Sequence, residues 1–200
     1  ADATESSHRL SPMPEQGTDI ILVTHGLTEW NKQNRIQGHV DIPLCKEGHY
    51  MAQCLARRLV KFSIAAIYSS DLQRAIQTAN PTARSLGLSI YTDSALREGR
   101  TRKQEVAAEY SLLPFTVEVE TEQDVLRRMQ IALERIAVKN PGQRVLVVSH
   151  GGAVNLFITH ILGSTFSRRS FLNKRTAVNV IRYANKSWFC KILDDDTHLP

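Results

Sequence analysis

Leu22-Val-Thr-His25-Gly26 and Val147-Val-Ser-His150-Gly151 end two apolar runs in the same way. The runs, Asp19–Thr24 and Arg144–Ser149, are short and rich in β-branched residues, the pattern of a strand buried on both faces. Each carries a histidine just past its carboxyl end, and a glycine then opens the turn. In open α/β sheets, ligands bind beyond the carboxyl ends of strands, where the strand order switches. If these two strands are neighbours, both imidazoles face one crevice.

The surrounding sequence alternates strand and helix patterns. Ile64–Tyr68 and Leu88–Tyr91 are further strands. Met51, Leu55, Leu59 and Phe62 recur at helical spacing across Gly48–Lys61. Thr28–Asn31 has the composition of a short helical turn. Ser69, Ser70 and Asp71 offer N-caps for a helix carrying Leu72, Ala75, Ile76 and Ala79, and Pro81 is expected to kink or end it. Glu122–Asn140 is the longest helical stretch and Pro141-Gly142 stops it. Gly152–Leu162 is another helix, and a short one is expected at Gln104–Tyr110. Ala177–Tyr183 and Trp188–Leu193 form a closing hairpin turned at Asn185-Lys186. The pattern predicts an α/β fold: a three-layer α/β/α sandwich whose mostly parallel sheet has an antiparallel C-terminal edge. Two hundred residues suit one domain, expected over 19–200 behind a polar, mobile lead-in at 1–18.

Charge and cysteine usage narrow the function classes. The net charge is +5, but the ends are acidic, and residues 19–193 hold 24 Lys and Arg against 14 Asp and Glu. Such a body favours anionic partners. Aromatics are only 6% and no basic run interleaves with them, which argues against nucleic acid. Three cysteines without a C-x-x-C pair argue against a disulfide framework or zinc ribbon and suit a reducing compartment. No apolar signal-peptide core precedes the first strand, so a cytoplasmic location is expected. Val145–Ser167 lacks Asp, Glu, Lys and Arg and is long enough to span a bilayer, but His150, Gly151-Gly152, Asn155 and His160 make it strand, turn and helix instead, and no membrane association is expected.

Two facing imidazoles suit metal binding or phosphoryl transfer. A metal would recruit a third ligand at tight spacing, and neither His25 nor His150 has a carboxylate or thiol within two positions. Phosphoryl transfer needs a nucleophile, positive charge around three oxygens and an acid for the leaving group. Neutral imidazole is such a nucleophile, and the basic body supplies the charge.

The run Val23-Thr-His-Gly-Leu-Thr-Glu-Trp-Asn31 resembles the signature of the histidine phosphatase superfamily, also called phosphoglycerate mutase-like. The resemblance continues through Arg35-Ile-Gln-Gly38, the stretch from Tyr68 to Ala79, Leu96-Arg-Glu98, Val148-Ser-His-Gly-Gly152 and Val178-Asn-Val180. In pattern the chain is most similar to the small phosphatases of that family, some described as metal-independent phosphoserine phosphatases. The resemblance implies His25 as the nucleophile that becomes phosphohistidine and His150 as the second histidine on the phosphoryl oxygens. It implies Arg74 as a bidentate phosphate clamp and Glu98 as the acid for the leaving oxygen. Thr24, Thr28, Asn31 and Gly151 fall on its substrate-binding positions. The expected substrate is a small phosphorylated metabolite. No metal or organic cofactor is implied, because His25 itself carries the phosphoryl group. The edge of the C-terminal hairpin offers a surface for a homodimer.

Two departures stand out. The family's motif is Arg-His-Gly, and Thr24 replaces that arginine. Losing a preorganised donor of this kind typically costs on the order of 10²–10³ in turnover, so reduced or altered activity is expected unless Arg35 or Arg97 substitutes. Only 23 residues separate Glu98 from Glu122, too few for the substrate-covering insertion of a mutase. These departures leave an alternative: a non-catalytic or reassigned family member that binds a phosphorylated ligand or a protein.

Overall fold

The computed structural model describes residues 16–100, 119–163 and 174–200. Most of the expected lead-in and the expected helix at Gln104–Tyr110 lie outside them. Six strands form one sheet in the order β3-β2-β4-β1-β5-β6: β1 (Thr18–Thr24), β2 (Ile64–Ser69), β3 (Ile90–Thr92), β4 (Arg144–Ser149), β5 (Val178–Ala184) and β6 (Ser187–Asp195). The first four in that order are parallel, and β5 and β6 add the antiparallel edge. The helices are α1 (Glu29–Lys32), α2 (Lys46–Leu59), α3 (Gln73–Leu86), α4 (Glu122–Lys139) and α5 (Gly151–Leu162).

Alternation along β1 creates the two cores. Ile21 and Val23 meet Leu55 and Leu59 of α2 and Ala75, Ala79 and Ala83 of α3 on one face. Ile20 and Leu22 meet Met129 and Leu133 of α4 and Val154 and Phe157 of α5 on the other. Each Ile, Val, Leu, Met or Phe side chain among them contributes about 1.5–3 kcal/mol when fully buried. Two covered faces explain why these strands are apolar throughout instead of alternating with polar residues. Among the described residues, no helix is long and apolar enough to cross a membrane, and Val145–Leu162 is β4 from its second residue, the N-cap His150 and α5.

Helix boundaries depart from the sequence expectation around α3. The N-cap is Leu72, without a side-chain cap bond. Ser70 Oγ instead contacts His150, and Asp41 Oδ1, from a distant loop, accepts the Gln73 N–H at 2.7 Å. Pro81 lies inside α3, which runs on to Leu86. Proline removes one helical hydrogen bond at Gln77, but Ala75, Ala79 and Ala83 are buried against the sheet on either side of it. The hairpin turns at Asn185 and Lys186, both with positive φ (51° and 58°), as a two-residue type I′ loop requires.

Asp19 ties the antiparallel edge to the parallel sheet. It lies opposite Arg182 on β5 and Arg144 on β4, and accepts from Arg182 Nε at 2.8 Å and Lys191 Nζ at 3.0 Å. Burial pushes its carboxyl up, but the Arg182 and Lys191 bonds outweigh this and hold it below the ordinary range. Asp19→Asn is expected to lower stability by about 1.5–3 kcal/mol, the scale of a hydrogen bond to a charged group. Because the folded-state pKa is depressed, this stabilisation is present above the ordinary carboxylate range. It is lost as pH falls, so wild type and variant converge in denaturant melts below about pH 4.

Candidate active site

β1 and β4 are parallel neighbours with Thr24 beside Ser149, and the His25 N–H extends the ladder by donating to the Ser149 carbonyl at 3.0 Å. The two strands therefore deliver His25 and His150 side by side, ring centroids 5.2 Å apart. His25 is 3% exposed and His150 fully buried. His25 lines a cavity of about 550 Å³ with Asn31, Arg74, Glu98, Gly152 and Arg175, while His150 is not on its wall.

The contacts of His25 define its tautomer. Its Nδ1 lies 2.7 Å from the Gly26 carbonyl, which only accepts, so the proton sits on Nδ1. Arg175 Nη1, which only donates, lies 3.3 Å from Nε2. Both contacts leave Nε2 as the lone-pair atom. Burial depresses the His25 pKa well below the ordinary histidine value, and the charges of Arg175 and Arg74 depress it further. Burial and then Arg74 do the same to His150. Both rings are neutral at physiological pH.

Arg74 stands in the first turn of α3 and is 1% exposed. Its Nη1 and Nη2 donate to the carbonyls of Val40 and Gly38, both at 2.7 Å. Burial lowers its pKa to about 10, which leaves it charged. Its Nε and the Nδ1 of His150 are buried without a hydrogen-bond partner among the described residues. Such atoms cost about 1–3 kcal/mol each unless a ligand satisfies them.

Glu98 follows a 3₁₀ turn (Ser94–Leu96) and places its carboxylate on the N-terminus of α5. Oε2 accepts from Gly152 N–H at 2.9 Å, and Oε1 accepts from Ala153 N–H at 2.9 Å and Gly99 N–H at 3.1 Å. A helix N-terminus favours negative charge there. A Cβ at position 152 would stand 2.7 Å from Oε1, so the approach needs glycine. The Glu98 carbonyl is held in turn by Arg128 Nη2 at 2.8 Å and His39 Nε2 at 2.7 Å. Neither anchor is marked by spacing in the sequence.

The remaining expected residues divide. Asn31 is on the cavity wall; Thr28 is buried and N-caps α1, sharing a capping box with Asn31. Thr24 is fully buried and off the wall, its carbonyl accepting the Thr176 N–H at 3.0 Å. Gly151 packs between Thr24 and Arg175: its Cβ position is 3.9 Å from Thr24 Cγ2 and 3.7 Å from Arg175 Nη1. The two arginines named as candidate substitutes for one at position 24 are placed otherwise. Arg97 is bound to Asp71 by two bonds of 2.7 and 2.6 Å. Arg35 lies 3.7 Å over the Trp30 ring and lines the cavity. The arginine beside the nucleophile is Arg175, which sequence reasoning missed. The signal for it was the antiparallel edge: pairing of Val178 with Val23 puts the residues just before β5 at the carboxyl end of β1.

Among the described residues, Glu29, Cys45 and Glu47 cluster closely enough to hold a cation, but the Lys32 ammonium is already bonded to both carboxylates, at 3.1 and 2.7 Å. The cluster lies apart from the histidine cavity, on whose wall none of the three stands.

Residues 20–196 match the model of the histidine phosphatase superfamily (branch 1). The chain is 33% identical to the phosphoglycerate mutase-like protein 4 of Arabidopsis thaliana over an alignment 201 positions long, gaps included, covering 90% of this chain and 86% of that protein. It is also 33% identical to the probable phosphoglycerate mutase GpmB of Proteus mirabilis over an alignment 186 positions long, covering 84% of this chain and 86% of that protein. The structure superposes on Bacillus stearothermophilus YhfR with a TM-score of 0.82 at 26% identity, over 92% of this chain and 100% of that one. The sheet order, the paired strand-end histidines and these matches agree: the chain belongs to branch 1 of the histidine phosphatase superfamily, whose phosphatases and mutases work on small phosphorylated metabolites.

Proposed function

We propose that this chain is a phosphomonoester hydrolase that works through a phosphohistidine at His25. The observation that carries the reading is the His25 tautomer: Nδ1–H bonded to Gly26 and an Nε2 lone pair at the cavity. Nε2 attacks phosphorus and the ester P–O bond breaks. Glu98 enters the cycle protonated and gives its proton to the leaving oxygen, and the N–H groups of Gly99, Gly152 and Ala153 stabilise the carboxylate that this leaves. Glu98, now a carboxylate, takes a proton from water as that water attacks the phosphohistidine. The P–N bond breaks, its electron pair returns to Nε2, and phosphate leaves. The unpartnered Arg74 Nε and His150 Nδ1 supply bonds that phosphoryl oxygens would satisfy. The short span between Glu98 and Glu122 favours transfer to water over retention of a bisphosphate intermediate.

A panel of phosphate esters (phosphoserine, 3-phosphoglycerate, sugar phosphates, nucleoside monophosphates) tests this, with the His25→Ala protein as blank. Turnover of at least one ester well above the blank is expected. It should persist below pH 6.5, because the depressed His25 pKa keeps the nucleophile neutral there. Phosphate release no faster than the blank for every ester would reject the hydrolase and favour a phospholigand-binding protein.

A further inference from the structure

We propose that Arg175 is the phosphoryl-binding cation of this site, replacing in space the arginine that Thr24 displaces in sequence. The assignment rests on the hydrolase reading for its catalytic consequence but not for its binding consequence. Four observations support it. Arg175 Nη1 is 3.3 Å from His25 Nε2, the atom to which phosphorus would bond, so its donors lie where phosphoryl oxygens would sit. The same Nη1 and Thr24 Cγ2 flank the open Gly151 position, which puts the guanidinium beside the side chain of residue 24. Among the described residues Arg175 has no carboxylate within ion-pair distance; burial disfavours its charge, the more distant Glu98 carboxylate favours it, and Arg74 stands on the same cavity wall. Two partly desolvated guanidiniums share this wall with one carboxylate, Glu98, whose oxygens are engaged by the N–H groups of Gly99, Gly152 and Ala153, so the excess positive charge favours a further anion there.

The fourth observation is backbone strain. Arg175 and Thr176 form a tight turn closed by the Ala177 N–H donating to the Lys174 carbonyl. Thr176 has φ +59°, a left-handed conformation that is costly for a β-branched residue. It is held there by its N–H bond to the Thr24 carbonyl and by its Oγ1 contact with His198 Nε2 at 3.1 Å. The turn that presents Arg175 is thus tied to the residue preceding the nucleophile.

Three readouts test the assignment with Arg175→Met and Arg175→Lys. Inorganic phosphate titrated by calorimetry is expected to bind at least tenfold more weakly to Arg175→Met, with Arg175→Lys between it and wild type. With p-nitrophenyl phosphate, Arg175→Met is expected to lose about 10²–10³ in kcat. The acid limb of its pH profile should move up toward the ordinary histidine value, because a positive charge facing His25 is gone while Arg74 and the neutral His150 remain. A merely structural residue would not move that limb. Adding Thr24→Arg to Arg175→Met should restore at least tenfold of the lost turnover. Phosphate affinity and acid limb both unchanged in Arg175→Met would overturn the assignment, as would a wild-type protein that binds no phosphate. Phosphate binding that depends on Arg175, in a protein with no turnover above the His25→Ala blank, would support the assignment and reject the hydrolase.

Discussion

Replacing His25 with Ala is expected to abolish ester hydrolysis, by about 10⁴-fold or more. When a covalent route loses its nucleophile, only binding and electrostatic assistance to water remain. The fold should survive. His25 makes one short bond to its neighbour Gly26 and receives one from Arg175, and its backbone ladder bond to Ser149 does not need the ring. Phosphate binding should persist as well, since Arg74 is positioned by the carbonyls of Gly38 and Val40 and not by His25. The pair of results, hydrolysis gone and phosphate affinity retained within about tenfold, separates a lost nucleophile from a collapsed site. A variant that keeps more than about 1% of turnover would mean that another group attacks phosphorus.

Glu98→Gln should split substrates by leaving group. General acid catalysis typically contributes about 10²–10⁴-fold, but only where the leaving oxygen needs a proton. Alkyl phosphates, whose alkoxide leaves poorly, should lose kcat on that scale. p-Nitrophenyl phosphate, whose phenolate leaves readily, should lose far less. The glutamine also presents an NH₂ where three N–H donors converge, those of Gly152 and Ala153 at the helix end and that of the adjacent Gly99. One of those bonds must be lost, at about 1–3 kcal/mol of stability. Equal losses for both leaving groups would show that Glu98 only orders the start of α5.

The parts of this structure visible in the sequence are those encoded locally. Both histidines stand at strand ends, and a strand buried on two faces announces its end by the switch from apolar residues to glycine. The sheet class follows from the same alternation of short apolar runs and amphipathic helices. What the sequence hides depends on distant contacts. Asp41 caps α3 from a loop more than thirty residues away, so the local candidates Ser69, Ser70 and Asp71 mislead. Pro81 is tolerated inside α3 because the alanines on either side are buried, a tertiary effect that propensity does not weigh. Arg175 is brought to His25 only by the register of β5 against β1. The sequence neighbours suggested Arg35 and Arg97, but Trp30 and Asp71 engage them.

The most direct measurement is a rapid-quench single turnover with a ³²P-labelled ester. One acid-labile, base-stable phosphate per chain on the peptide carrying His25, formed and discharged at rates consistent with kcat and absent from His25→Ala, is the expected result. Turnover without such a label, or an acid-stable label on a hydroxyl side chain, would contradict phosphoryl transfer through the imidazole.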